Sequence, residues 1–293
     1  MHFLLLCILS STVIFVTFKT LSRFHIPAFP VIVINYLIAT LLGLLIYRGG
    51  ADPASIIASP WLVISIIIGI MFIVMFFLVA SSTKKAGLSV TTVASKMSVI
   101  FPIVFSLVID AGDRLSLLKA IAIFTALAGV LLTIYKPEGT GVGRRVILIP
   151  LLLFVGMGLV DSLVKLAQQR YVSDNETALF SAVLFLNAFI SGLIAAVFYR
   201  KHWIQFSKAR TWGWGLLLGS VNFGSIYFLV RALHYRSPAG KQIDSSVIFG
   251  ANNISIVALS VLVGLLVFRE KLKAVNWLGI VLAALALLLF TLV

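Results

Sequence analysis

The chain has 293 residues, of which 61% are hydrophobic and 11% charged, and its mean hydropathy of +1.15 excludes a soluble globular domain. A formal net charge of +14 would ordinarily raise nucleic acid as a partner. Here the Lys and Arg residues concentrate at the ends of apolar stretches, where they meet lipid head groups. The expected partner is therefore membrane lipid, and no nucleic acid is expected.

Ten apolar stretches follow one another along the chain, and each is long enough to cross a bilayer, which takes roughly 20 residues of helix. They are continuous rather than alternating, so they predict helices and not a barrel. In chain order the predicted spans are 3–18, 29–47, 61–80, 88–109, 117–135, 146–167, 178–199, 212–230, 247–268 and 275–293. We therefore predict an all-α integral membrane protein, multi-pass in the cell inner (plasma) membrane.

The first span is predicted to remain as an uncleaved signal-anchor. Met1 and His2 supply no basic region before it, and no small-residue cleavage site follows it. The span holds Cys7, the one cysteine of the chain, which excludes a disulfide framework and a cysteine-based metal site. We expect no metal and no cofactor.

The two halves of the chain match each other in order. Asp-Arg-Leu at 113–115 before the fifth span corresponds to Glu-Lys-Leu at 270–272 before the tenth, and this alignment lays Lys96 on Asn253. An odd number of spans per half inserts the second copy upside down, which is the inverted-repeat plan of secondary transporters. We therefore predict ten transmembrane helices as two inverted five-helix repeats. The predicted units are 1–135, a glycine-rich linker 136–145, and 146–293.

Short motifs support a family resemblance over essentially the whole chain. They lie at 86–92, 101–102, 113–116 and 128–132 in the first half and at 245–247, 269–272 and 277–279 in the second. In these motifs and in its duplicated plan the chain resembles the drug/metabolite transporter (DMT) superfamily, in its ten-helix EamA-like branch. The resemblance implies cytoplasmic termini, whereas the positive-inside rule applied to the loop charges places both termini outside.

Two features depart from the usual pattern of this family. Gly112-Asp113 replaces the more usual Gly-Glu, and Lys96 lies close to the centre of the fourth span. An unpaired lysine there costs about 2.5–3.5 kcal/mol on insertion scales, and such residues normally face a bundle interior or a wet cavity. We interpret Lys96 as a substrate-binding residue; the alternative is a structural ion pair.

The helix around Lys96 carries further polar signals. Ser89, Thr92 and Lys96 follow i, i+3, i+7 spacing and form one polar stripe. Pro102 cannot donate a hydrogen bond to the Ser98 carbonyl, so we expect the helix to bend just beyond Lys96.

Asp161 is the one acidic residue well inside a predicted span, and its equivalent in the first half is Phe15. Lys165 follows one turn later, and an i, i+4 pair of this kind can neutralise itself. Two other interpretations stay open: Asp161 is the counter-ion of Lys96 across the repeat interface, or it is a carboxylate that carries a proton.

Amide side chains cluster in the ninth span, where Asn252 and Asn253 lie at the depth that Lys96 has in the other half. An asparagine in lipid must find a partner, which a neighbouring helix can supply without any ligand. Two adjacent asparagines exceed what packing usually needs, so we interpret them as cavity-lining. Asn222 and Tyr227 in the eighth span are further candidates, beside a Gly-x-x-x-Gly spacing that indicates close packing first.

These features predict a secondary transporter that moves a small organic metabolite by alternating access, with proton coupling left open. A lipid or lipid-linked sugar flippase of the same superfamily is the alternative, and monomer or homodimer stays undecided. The histidines lie at loops or span ends and no hydrolase motif occurs, so we do not expect an enzyme. The predicted substrate-binding residues are Lys96, Thr92, Asp161, Asn222, Tyr227, Asn252 and Asn253.

Overall fold

The computed structural model describes residues 2–47, 53–109, 116–135, 144–172, 176–198, 203–233 and 245–292, and within these ranges its regular structure is entirely helical. The helices are α1 (His2–Arg23), α2 (Ala28–Ile46), α3 (Pro53–Ala58), α4 (Trp61–Lys85), α5 (Leu88–Met97), α6 (Ile100–Ile109), α7 (Leu117–Ile134), α8 (Arg144–Arg170), α9 (Thr177–Phe198), α10 (Trp203–Phe206), α11 (Ala209–Leu233), α12 (Ser245–Leu266) and α13 (Ala274–Thr291).

Nine stretches of helix in the described ranges are long and apolar enough to cross a membrane, with α5 and the start of α6 forming one of them. The ninth predicted span, 247–268, falls largely within α12, which has 22 residues. Large side chains such as Leu45, Leu117 and Phe198 are about four-fifths exposed, as expected for a lipid-facing surface. The all-α, multi-pass membrane class predicted from the sequence is confirmed.

Some predicted features lie outside the described residues. These include the Asp-Arg-Leu motif at 113–115 and the linker residues 136–143. The last two residues of the predicted linker, Arg144 and Arg145, are instead the first turn of α8. Hydropathy could not identify the start of α8, because the first residues of this helix are charged and do not extend the apolar stretch.

The fourth span is interrupted just beyond Lys96, as the sequence predicts. α5 ends at Met97, α6 begins at Ile100, and Ser98 and Val99 form a turn between them. The Ser98 carbonyl accepts a hydrogen bond from the backbone N–H of Phe101 at 2.9 Å, one residue earlier than in a regular helix. Pro102, the regular partner, has no N–H to give.

Glycines bring several helix pairs into close contact, and among the described glycines the closest approach of one backbone to another is between α7 and α13. A Cβ atom built at Gly279 would lie 2.4 Å from the Thr133 backbone nitrogen, and one at Gly129 would lie 2.7 Å from the Ala283 nitrogen. Only the missing side chains allow the two backbones to approach this far. These two helices carry no charged residue in their cores and form a packing pair.

Helix α5 lies in the interior of the bundle and places the polar residues. It packs against α12, α8, α4 and α7, and every residue from Leu88 to Ser95 is buried. Helices α1 and α8 complete the surroundings, since α1 packs on α12 and α4, and α8 packs on α4, α5 and α6.

Candidate functional site

Lys96 occupies the last turn of α5, directly before the helix break, and its side chain is half-buried. Among the described residues it donates no hydrogen bond and forms no direct ion pair. Cys7 on α1 and Asp161 on α8 are near enough to interact with it electrostatically. The ammonium group is therefore surrounded by protein on several sides without having a direct partner there.

Asp161 is held by the broken helix rather than by Lys96. Its Oδ2 atom lies 3.0 Å from the Ser98 hydroxyl oxygen, and that oxygen also lies 2.6 Å from the Ser95 carbonyl oxygen. Lys165, one turn after Asp161, donates to the Pro102 carbonyl at 3.4 Å. The break between α5 and α6 thus supplies a hydroxyl group to Asp161 and a carbonyl group to Lys165, two charged residues of α8.

The predicted cavity residues Thr92, Asn252 and Asn253 are all buried. The Thr92 hydroxyl donates to the Leu88 carbonyl of its own helix at 3.0 Å. The Oδ1 atom of Asn252 is buried and has no hydrogen-bond partner in the part of the chain that the structure describes. A buried acceptor of this kind costs free energy unless something supplies a donor.

Asn222 and Tyr227 have protein neighbours of their own. The side-chain amides of Asn222 and Asn35 lie 3.1 Å apart, within hydrogen-bond distance, where α11 packs on α2. The Tyr227 ring stacks on Phe223 with centroids 5.8 Å apart, and the Arg231 guanidinium lies 6.0 Å from its centre. The structure therefore gives Asn222 a helix–helix partner, and the substrate role of both residues stays a prediction.

Two residues in this region were missed by the sequence reasoning as functional side chains. Ser98 was considered only for its carbonyl, yet its hydroxyl contacts Asp161. Glu270 was considered only as a repeat marker, yet its carboxylate is bound by α1 and α5. Spacing on one helix could not reveal either contact, since each joins distant parts of the sequence. In the described residues, no group of three or more His, Cys, Asp and Glu side chains could hold a metal ion.

Comparison with known proteins supports the fold and leaves the activity open. No protein-family model matches the chain. A relative from Haemophilus influenzae, described as an uncharacterized protein, is 26% identical over 287 residues, which cover 96% of this chain and 94% of the relative. A protein crystal structure with 18% identity superposes with a TM-score of 0.61 and covers 99% of this chain and 96% of that chain. At this identity the structural likeness concerns the fold alone.

Proposed function

We propose that the chain is a secondary transporter of a small organic metabolite, of the EamA-like branch of the drug/metabolite transporter superfamily. Its two inverted five-helix repeats, 1–135 and 146–293, rock against each other and expose a central site to one side of the membrane at a time. A solute or ion gradient drives the cycle, because no ATP-binding motif occurs in the sequence.

Helix packing supports the repeat. The alignment of the halves pairs α1 with α8, α2 with α9, α4 with α11, α5 and α6 with α12, and α7 with α13. If each helix is replaced by its counterpart in the other half, the contact of α2 with α11 becomes that of α9 with α4. In the same way, the contact of α1 with α11 becomes that of α8 with α4, and the contact of α1 with α12 becomes that of α8 with α5 and α6. All of these contacts occur in the structure, and α2–α9, α5–α12 and α7–α13 map onto themselves. A duplicated half explains why these contacts come in such sets.

The observation that carries the proposal is the state of Lys96. A lysine inside a membrane span is costly, and proteins retain one where it meets a partner or a wet cavity. Lys96 has no direct partner among the described residues, and it lies where the helix is broken. If Lys96 belonged to a permanent structural ion pair, a carboxylate would lie in direct contact with its ammonium group. The ammonium is therefore available to a substrate anion such as a carboxylate or phosphate.

The contacts of Ser98 support proton coupling through Asp161. A hydroxyl has one hydrogen to donate, and both the Ser95 carbonyl and an ionised Asp161 can only accept. The shorter contact, 2.6 Å, is to the Ser95 carbonyl. The hydroxyl can therefore donate to an ionised Asp161, or it can donate to the Ser95 carbonyl and accept from the O–H of a protonated Asp161. The same contact thus suits both protonation states of Asp161, as a carboxylate that takes up and releases a proton requires.

Transport by purified protein in liposomes tests the proposal. The parent protein is reconstituted and offered a library of labelled metabolites, with and without a pH gradient. We expect at least one small organic anion to accumulate, and to do so faster with the gradient. Movement of no member of the library, combined with scrambling of labelled lipid between the leaflets, would replace this proposal with the flippase alternative.

A further inference from the structure

Glu270, in the turn between α12 and α13, is bound by two helices of the first half. Its carboxylate accepts hydrogen bonds from the backbone N–H of Leu88, from the N–H of Ser89 at 3.1 Å and from the Ser89 hydroxyl at 2.9 Å. The Lys19 ammonium lies 3.0 Å from the same carboxylate. Lys19 in turn donates to the Thr83 carbonyl of α4 at 3.0 Å. One side chain of the second half thereby joins α1 and α5.

The backbone around Glu270 is shaped to receive the carboxylate. Gly87, directly before α5, has a φ of +107°, and a Cβ there would lie 2.9 Å from Glu270 Oε1. A Cβ at Gly264 would lie 2.8 Å from Glu270 Oε2. Arg269 has a φ of 53°, an uncommon value for a residue with a side chain. A carboxylate at the first turn of a helix is also stabilised by the free N–H groups there.

We propose that Glu270 is the latch of one gate of the transporter, which holds this end of the bundle closed and must release α5 and Lys19 for the end to open. The inference rests on the proposed function. Rocking of the two repeats separates α1 and α5 from the turn that carries Glu270. Because four donors meet on one carboxylate, their release is concerted, and the contact separates two states.

The position of the latch fits a gate above the candidate site. Lys19, Ser22, Arg23 and the segment 266–269 line a cavity of about 490 Å³ beside it. Ser89, Thr92 and Lys96 continue along α5 on one face, so Lys96 lies about 10 Å beyond Ser89 at about 1.5 Å per residue. The closed latch thus lies between an open basic vestibule and the half-buried Lys96.

Accessibility behind the latch tests this directly. Thr92 is fully buried. Thr92→Cys is made in a Cys7→Ser background, and labelling by the membrane-impermeant sulfonatoethyl methanethiosulfonate is measured in liposomes. We expect Glu270→Gln, and separately Lys19→Met, to speed labelling at least about tenfold, the factor that 1.4 kcal/mol represents. The matched control is Lys271→Met, which removes an exposed charge next to Glu270. Equal labelling rates in all four proteins would overturn the latch.

A reversible cross-link separates the gate from transport itself. Ser89→Cys and Glu270→Cys are combined in the Cys7→Ser background and joined by a short bis-methanethiosulfonate linker. We expect transport to stop in the linked protein and to return when a reductant cleaves the linker. Linked protein that transports at the unlinked rate would overturn the gate while leaving the transporter proposal intact. If the parent protein moves no solute, the proposed function fails, and the labelling experiment alone decides on the latch.

Discussion

The hydroxyl oxygen of Ser98 lies 3.0 Å from Oδ2 of Asp161, which joins the break in the fourth span to the one acidic residue in the middle of α8. The same oxygen lies 2.6 Å from the Ser95 carbonyl. The helix break therefore does more than bend the chain, because it brings a hydroxyl group to the residue proposed to carry the proton. Lys96 precedes this serine by two residues.

Asp161→Asn is expected to abolish the pH dependence of transport. The amide cannot take up or release a proton in this range, so the solute should move at a rate that no pH gradient changes. Ser98→Ala removes the hydroxyl contact and should shift the pH at which transport is half-maximal without abolishing it. The measurement is initial uptake into liposomes between about pH 5 and 8.

The pair Lys96 and Asp161 is tested by a double variant. The two side chains interact electrostatically without a direct ion pair, so Lys96→Met, Asp161→Asn and the combination should be non-additive in thermal stability. Additive effects, together with an unchanged pH profile in Asp161→Asn, would contradict the coupling.

Glu270→Gln should destabilise the protein in a pH-dependent way. Burial by itself would raise the pKa of Glu270, but the N–H groups of Leu88 and Ser89 and the Lys19 ammonium outweigh it and hold the pKa below the usual 4.5. A lowered pKa in the folded protein stabilises the fold at pH values above the usual pKa of the group. This stabilisation is lost as the pH falls through the lowered pKa. The melting temperature of the variant should therefore lie below the parent's at neutral pH.

The difference between the two melting curves should stay constant from about pH 8 to pH 5 and shrink below pH 4.5. The groups that face the Glu270 carboxylate are the Lys19 ammonium of α1 and the N–H and hydroxyl groups of α5. The turn that carries Glu270 also holds the charged residues Arg269 and Lys271. Lys271→Met is the control and should leave the curve unchanged. A difference in melting temperature between the parent and Glu270→Gln that grows as the pH falls would contradict stabilisation by the ionised carboxylate.

Gly279→Ala should destabilise the fold by about 1–3 kcal/mol, because its methyl group would overlap the backbone of Thr133 across the α7–α13 interface. Gly213→Ala is the matched control. No atom lies within 4 Å of a Cβ at Gly213, in the exposed first part of α11, so alanine there should be neutral or slightly stabilising. Thermal unfolding in detergent measures both, and equal effects of the two variants would contradict the tight α7–α13 contact.

Hydropathy and local spacing predicted the features that depend on neighbouring residues. The apolar runs identified the spans, and Pro102 identified the break after Met97, because both effects act within a few residues. The Glu270 contacts were out of reach, since two of the donors are backbone N–H groups about 180 residues away. The contact between Asn35 and Asn222 is equally non-local, and only the packing of α2 on α11 creates it.

The central claim is that Lys96 binds the transported solute, and substitution of this residue tests it most directly. Lys96→Ala, the parent and the control Lys271→Met are reconstituted at equal density, and initial uptake of the transported metabolite is compared. We expect at least a tenfold loss of uptake in Lys96→Ala alone, while the melting temperature does not fall, because the substitution removes a charge without a direct partner among the described residues. Uptake by Lys96→Ala at the parent's rate would contradict substrate binding by Lys96.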